Sequence, residues 1–179
     1  MPKSTERSTA KRTAESIIEQ FGLKPHPEEG GWFRETYRCD EEAGAVCLPE
    51  RYGAPRSFGT CIYYLLTGDT LSRLHRLKSD EIFHFYLGDP VRMLHLYPDG
   101  SSAVLTLGHD VANGEHVQVV VPRGTWQGAI LMDGGEYAFM GCTVAPGFDF
   151  ADYETGDRAE LLARWPDRAE LIERLTEHG

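Results

Sequence analysis

The chain has 179 residues, 41% apolar and 26% charged, enough for one buried core. Its formal net charge is −10, with Asp and Glu spread along the chain, which argues against a nucleic-acid partner or an anionic membrane surface. The four cysteines include no C-x-x-C pair, and with no apolar leader and no span-length apolar run they read as reduced thiols of a cytoplasmic protein. Residues 1–12 are polar and mixed in charge and read as a flexible N-terminus, followed by a single domain over 13–179.

Thr13 can N-cap a short helix that places Ile17, Ile18 and Phe21 on one face and stops at Gly22. Two prolines and the Gly30-Gly31 pair then make a rigid loop, and alternation over Trp32–Tyr37 predicts a strand. Residues 39–57 read as loop. From Phe58 the pattern turns strongly β. The runs 58–68, 71–77, 81–88, 91–100, 102–108, 116–124, 126–135 and 136–147 read as strands, the first ended by Gly68-Asp69 and the fourth by a Pro-Asp-Gly turn. That spacing predicts an all-β sandwich or barrel. After it, Asp157 and Glu160 read as a capping box, Trp165-Pro166 as a break, and Asp167 with Glu170 as the cap of a second helix.

The stretch GDTLSRLHRLKSDEIFHFYLG, from Gly68 to Gly88, carries the chemistry. His75 closes its first apolar run and Glu81 opens the second, six residues on, across a turn. On neighbouring strands that spacing can bring an imidazole and a carboxylate together, as metal ligands or as a base oriented by an acid.

The order Gly68, His75, Glu81, Gly88, then Gly114, Pro122 and Gly124, resembles the two motifs of the cupin superfamily. Two positions depart from it: Leu77 and Gln127 stand where those motifs carry histidines. Four segments are similar to the DUF985 (cupin-5) family: HPEEGGWFRETYR (26–38), IYYLLTGDTLSRLHRLKSDEIFHFYLGDP (62–90), VVPRGTWQGA (120–129) and CTVAPGFDFADYE (142–154). The resemblance implies a single double-stranded β-helix (jelly-roll) barrel flanked by N- and C-terminal helices, a homodimer, and a cavity for a small-molecule ligand. It implies no particular reaction.

Inside such a barrel, His75 and Glu81 are the candidate catalytic pair. If His75 points inward on a regular strand, Arg73 shares its face. If Glu81 does, Phe83 and Phe85 line the cavity, and His84 points away unless a bulge shifts the phase. Three readings follow. In the first, resembling cupin epimerases, His75 is a base acting beside a carbonyl, Glu81 or Asp80 holds its tautomer, one of Tyr63, Tyr64, Tyr86 and Tyr137 is the acid, and Arg34 at the rim and Arg73 hold an anionic group. In the second, Phe83, Phe85 and Trp126 wall a non-catalytic binding pocket, with His75 and Gln127 as polar anchors. In the third, His75, Glu81, His84 and Gln127 hold a divalent metal for dioxygenase or lyase chemistry. His95, His109 and His116 read as structural or exposed, and His26 as fixing its loop or closing the cavity.

Overall fold

In the computed structural model, which describes residues 12–176, the apolar alternation resolves into two antiparallel sheets laid face to face. The strands are β1 (Lys24–Pro25), β2 (Trp32–Arg38), β3 (Glu42–Ala43), β4 (Arg56–Ser57), β5 (Thr60–Thr67), β6 (Leu71–Leu77), β7 (Asp80–Gly88), β8 (Val91–Leu96), β9 (Ser102–Leu107), β10 (Gln118–Val121), β11 (Trp126–Leu131), β12 (Tyr137–Ala145) and β13 (Tyr153–Thr155). The helices are α1 (Ala14–Phe21), α2 (Arg158–Arg164) and α3 (Ala169–Leu175). One sheet runs β1-β2-β5-β12-β7-β10 and the other β13-β6-β11-β8-β9. The chain passes from sheet to sheet between β5 and β6 and again between β7 and β8, the winding of a jelly roll. Each expected run from 58 to 147 contains a strand. Residues 39–57, read from sequence as loop, hold the short β3–β4 pair and two 3₁₀ turns. The expected mobile segment, apart from Arg12, lies outside the described residues.

Period-two alternation sorts the side chains into an interior and two outer faces. On β12, Ala138, Met140 and Cys142 face the interior, where they meet Tyr64, Leu66, Phe83, Phe85 and Met93. Phe139 faces outward onto α1, stacked against Phe21 with centroids 4.8 Å apart. On the other sheet Ala129 and Leu131 point in, whereas Trp126, Leu94 and Leu96 point out and are covered by Leu161, Ile172 and Leu175 of α2 and α3. The helices therefore occupy the barrel exterior. Thr13 caps α1 reciprocally with Ser16, and Gly22 ends it in the left-handed region at φ 60°. Asp157 caps α2 by accepting from the Glu160 N–H at 2.9 Å. Asp167 does not cap α3: a 3₁₀ turn over Pro166–Arg168 intervenes and leaves Arg168 at the cap. Trp165 is more than a break, being buried with its indole N–H donating to the Ser101 carbonyl at 3.2 Å.

Two local devices position the site. The first is a β-bulge in β6. Gln127 pairs with His75 but Ala129 pairs with Ser72, so Arg73 and Leu74 together oppose Gly128. Leu74 consequently points out to the helices, while Ser72 and His75 both point in. The second is the loop before β2. Gly30 and Gly31 have φ of 94° and 67°, and a Cβ on Gly31 would lie 2.9 Å from the Leu65 carbonyl oxygen. A Cβ on Gly30 would overlap the Leu71 carbonyl oxygen. The loop thereby presses into the barrel, anchored by the Arg73 N–H donating to the Glu29 carbonyl at 2.8 Å and the Tyr64 hydroxyl to the Gly30 carbonyl at 2.9 Å. Gly30→Ala is expected to lower the urea midpoint by an amount equivalent to about 2 kcal/mol or more, from left-handed strain added to the clash. A midpoint unchanged within error would show that the loop is not held this tightly.

A buried ion pair ties the 39–57 segment to the far end of the barrel. Arg56 donates from Nε and Nη2 to the two carboxylate oxygens of Asp152, both at 2.7 Å. Asp152 immediately precedes β13, so this pair also fixes where Tyr153 begins.

Candidate functional site

Three buried titratable side chains meet at one end of the barrel interior. His75 comes from β6 in one sheet, Glu81 from β7 in the other, and Glu29 from the glycine loop. The Nδ1–H of His75 donates to the Arg73 carbonyl at 2.7 Å. A carbonyl can only accept, so the neutral ring leaves the lone pair on Nε2, which is directed at Glu29 Oε2, 3.9 Å away. The bulge thus serves the site twice: the Arg73 N–H holds the Glu29 loop and its carbonyl sets the His75 tautomer. Neither Glu81 nor Asp80 orients His75. Asp80 instead accepts from the Arg123 N–H at 2.8 Å on the exposed side.

Glu81 Oε2 accepts from Gln127 Nε2 at 2.5 Å, leaving the buried Gln127 Oε1 without a partner. Burial, and then the nearby Glu29 carboxylate, push the Glu81 carboxyl up to about 7, against the opposing pull of His75 and the Gln127 hydrogen bond. Glu29 Oε1 accepts from the Ser72 hydroxyl at 2.5 Å, and its Oε2 lies 4.0 Å from His26 Nε2. His26 Nδ1 accepts the Glu29 N–H at 2.9 Å, so the neutral ring carries its proton on Nε2. Burial lowers the His26 pKa, which keeps that ring neutral. His26 therefore does both things its position suggested: it fixes the loop and it lines the cavity.

These groups form the floor of a cavity of about 280 Å³. Its walls are apolar: Phe33, Ile62, Leu77, Val144, Phe148 and Phe150. Tyr153 stacks on His75 with centroids 5.0 Å apart, and its buried hydroxyl has no partner. Burial, then Glu29, raise the Tyr153 pKa, so the hydroxyl keeps its proton. The exposed rim carries Glu35 and Arg38, whose guanidinium donates to Glu35 at 2.7 and 3.1 Å and to the Phe148 carbonyl at 3.1 Å.

The cavity brings together His75 and Glu81, with Gln127 reaching Glu81. The other candidates lie elsewhere. Arg34 is on the outer face of β2, its guanidinium 5.6 Å from the Tyr63 ring, because β2 presents Phe33 to the interior instead. The bulge removes Arg73 from the interior face, and its Nη1 donates to the Glu28 carbonyl at 3.1 Å. Phe83 and Phe85 do point inward, but they lie in the packed middle of the barrel rather than the cavity wall. Trp126 is on the outer face beneath α2 and α3, with Arg76 stacked over it at 4.4 Å. His84 faces out too, bonded to the Thr143 hydroxyl at 3.1 Å and to Gln118 at 3.2 Å. Of the tyrosines expected as acid, Tyr63 and Tyr137 pack with the outer cluster and Tyr86 lies across from Tyr63. Tyr64 points in, but its hydroxyl is spent on Gly30. Sequence reasoning missed Glu29 and Tyr153. The paired glycines after Glu29 were the signal for the first, since such a pair marks a close backbone approach; nothing in the alternation marked the second.

The donor set does not fit a tightly held metal. Leu77 offers no ligand atom, Gln127 does not line the cavity, and His84 faces the other way. His26 would need to move its proton to Nδ1, against the backbone N–H it accepts there. Among the described residues no group of three or more His, Cys, Asp or Glu is arranged to hold an ion.

A two-sheet jelly roll with one polar-floored cavity defines a cupin-type barrel. The chain belongs to the Cupin superfamily (DUF985) family, whose model matches residues 15–156. It is 32% identical over 149 residues to the uncharacterized protein YML079W of Saccharomyces cerevisiae, covering 78% of this chain and 73% of that one. Protein SO0799 of Shewanella oneidensis superposes with a TM-score of 0.82 at 30% identity, over 94% of this chain and all of that one (100%). A hypothetical protein from Leishmania major superposes with a TM-score of 0.83 at 31% identity, covering 93% of this chain and 100% of its own. Among the described residues no helix is long and apolar enough to cross a membrane.

Proposed function

We propose that the cavity is the site of an isomerase-like proton transfer on a small carbonyl compound. One observation carries the reading: the bare Nε2 of His75 and the carboxyl of Glu81, titrating near 7, face the same apolar-walled cavity from opposite sheets. His75 Nε2 takes the proton from the carbon beside the carbonyl. The C–H electron pair moves into a carbon–carbon double bond, and the carbonyl oxygen takes the proton of neutral Glu81. The imidazolium then returns a proton to the carbon skeleton while an enol O–H gives its proton back to Glu81, which restores a carbonyl and gives the isomer. Tyr153 backs the imidazole, and Glu29 faces the imidazolium that forms.

The test is deuterium uptake from heavy water by a panel of small carbonyl compounds, read by mass spectrometry. A turned-over compound gains deuterium at carbon, and His75→Ala slows the exchange by at least about a hundredfold, the usual size of a general-base contribution. The apolar, aromatic walls favour a second reading, a binding protein without turnover. On that reading compounds bind without exchanging, and His75→Ala reduces affinity alone.

A further inference from the structure

The polar atoms on the cavity floor are mostly acceptors. His75 has spent its N–H on the Arg73 carbonyl, so Nε2 offers a lone pair. Glu29 Oε1 is taken by Ser72 and Oε2 is open. Glu81 Oε2 is taken by Gln127, its carboxyl also meets the Cys142 thiol, and Gln127 Oε1 is itself buried and unpartnered. The distances of 3.9 Å from Glu29 Oε2 to His75 Nε2 and 4.0 Å to His26 Nε2 are too long for direct hydrogen bonds. They leave a gap into which a donor on a ligand fits. Charge points the same way. Two carboxyl groups, Glu29 and Glu81, face the floor, and among the described residues that line the cavity the one Lys or Arg is Arg38, at the rim and paired with Glu35. An anionic ligand would set its charge against the Glu29 carboxylate between apolar walls. The walls add the aromatic rings of Phe33, Phe150 and Tyr153, a type of surface that attracts a cation held near a ring face.

We propose that this cavity takes a small protonated amine on an apolar body, its N–H groups directed at Glu29, the floor carboxylate that the proton transfer does not use. The proposal rests on the reading that this cavity is the ligand site, and within the proton-transfer reading it narrows the substrate to an aminoketone type. Glu29 is the residue that sets this specificity.

Three probes of nearly one shape separate the charges: benzylamine, benzyl alcohol and benzoate, titrated into the full chain near neutral pH by calorimetry. Benzylamine is expected to bind at least tenfold more tightly than benzyl alcohol, with no binding of benzoate. Glu29→Gln is expected to weaken benzylamine about tenfold and leave benzyl alcohol unchanged; Glu81→Gln provides a second floor variant, and Glu35→Gln at the rim should alter neither ligand by more than about twofold. A preference for benzoate, equal affinities for amine and alcohol, or no amine binding at millimolar concentration overturns the proposal. So does amine affinity that both floor variants leave intact. Amine binding without any deuterium exchange sinks the proton-transfer reading alone. Exchange confined to uncharged or anionic carbonyl compounds sinks this one alone.

Discussion

Glu81→Gln is expected to stabilise the protein in alkaline solution and to leave it almost unchanged in acid. The carboxyl titrates at about 7 in the folded chain, against 4.5 for an unperturbed glutamate. Between those values the unfolded chain has lost a proton that the folded chain keeps, so stability falls as pH rises through the window. Above it the penalty is complete, on the order of 3 kcal/mol at about 1.4 kcal/mol per unit. The amide keeps an oxygen for Gln127 and carries no charge to bury. His95 works in the opposite sense: burial pushes its imidazole down to about 4, so the folded state loses stability as the medium becomes acid. Both proteins contain His95, so the difference between their urea-unfolding curves isolates Glu81. The gap should grow with pH and level off above about 8. A gap that does not vary with pH would mean that Glu81 is ionised throughout, and the proposed reaction would lose its acid.

Arg56→Ala should be among the most damaging single changes, with a loss of about 3–5 kcal/mol. The Asp152 carboxylate is 4% exposed and takes both guanidinium bonds. Lys78 Nζ lies 3.4 Å from it and shields only part of the charge left behind. Lysine at position 56 should not restore stability, because an ammonium cannot match the two parallel donors or still reach the Tyr52 and Pro55 carbonyls. The double variant Arg56→Ala with Asp152→Asn should lose less than the two single losses added together, since removing the carboxylate charge removes what the first change strands. Additive losses in thermal or urea unfolding would show that the two residues do not act as a pair. Local loosening should also free Tyr153, which follows Asp152 directly and stacks on the proposed base.

Strand positions were legible because most of the apolar runs end in residues that break pairing, and the inward placement of Glu81 and Gln127 agrees with period-two alternation, whereas His75 joins Ser72 on the inner face through the bulge. Depth was not legible. Phe83 and Phe85 share the Glu81 face, but alternation does not say how far along the barrel the open space extends, and these two rings fill the packed middle. Trp126 looked like a pocket aromatic because the exterior of a barrel is expected to be polar. Here α2 and α3 turn that exterior into a second apolar layer. Arg34 depended on the phase of one edge strand, which Phe33 fixes by taking the interior side. Glu29 and Tyr153 reach the site from a loop and a three-residue strand, where no repeating pattern reports direction.

Inside and outside along a strand amount to a two-letter reading frame, and the bulge at Arg73 and Leu74 is a built-in frameshift. Upstream of it the frame sends Ser72 to Glu29; downstream it sends His75 to the same place, although three residues separate them by number and regular alternation would put them on opposite sides. Inserting one residue beside Gly128 of β11 would give Arg73 and Leu74 a partner each, restore the regular frame and force a choice. Keeping His75 inside would turn Ser72 out and strand Glu29, whereas keeping Ser72 inside would bury the imidazole among the helix-facing leucines. The barrel can thus lose its chemistry through a change that leaves every one of its polar site residues in the text.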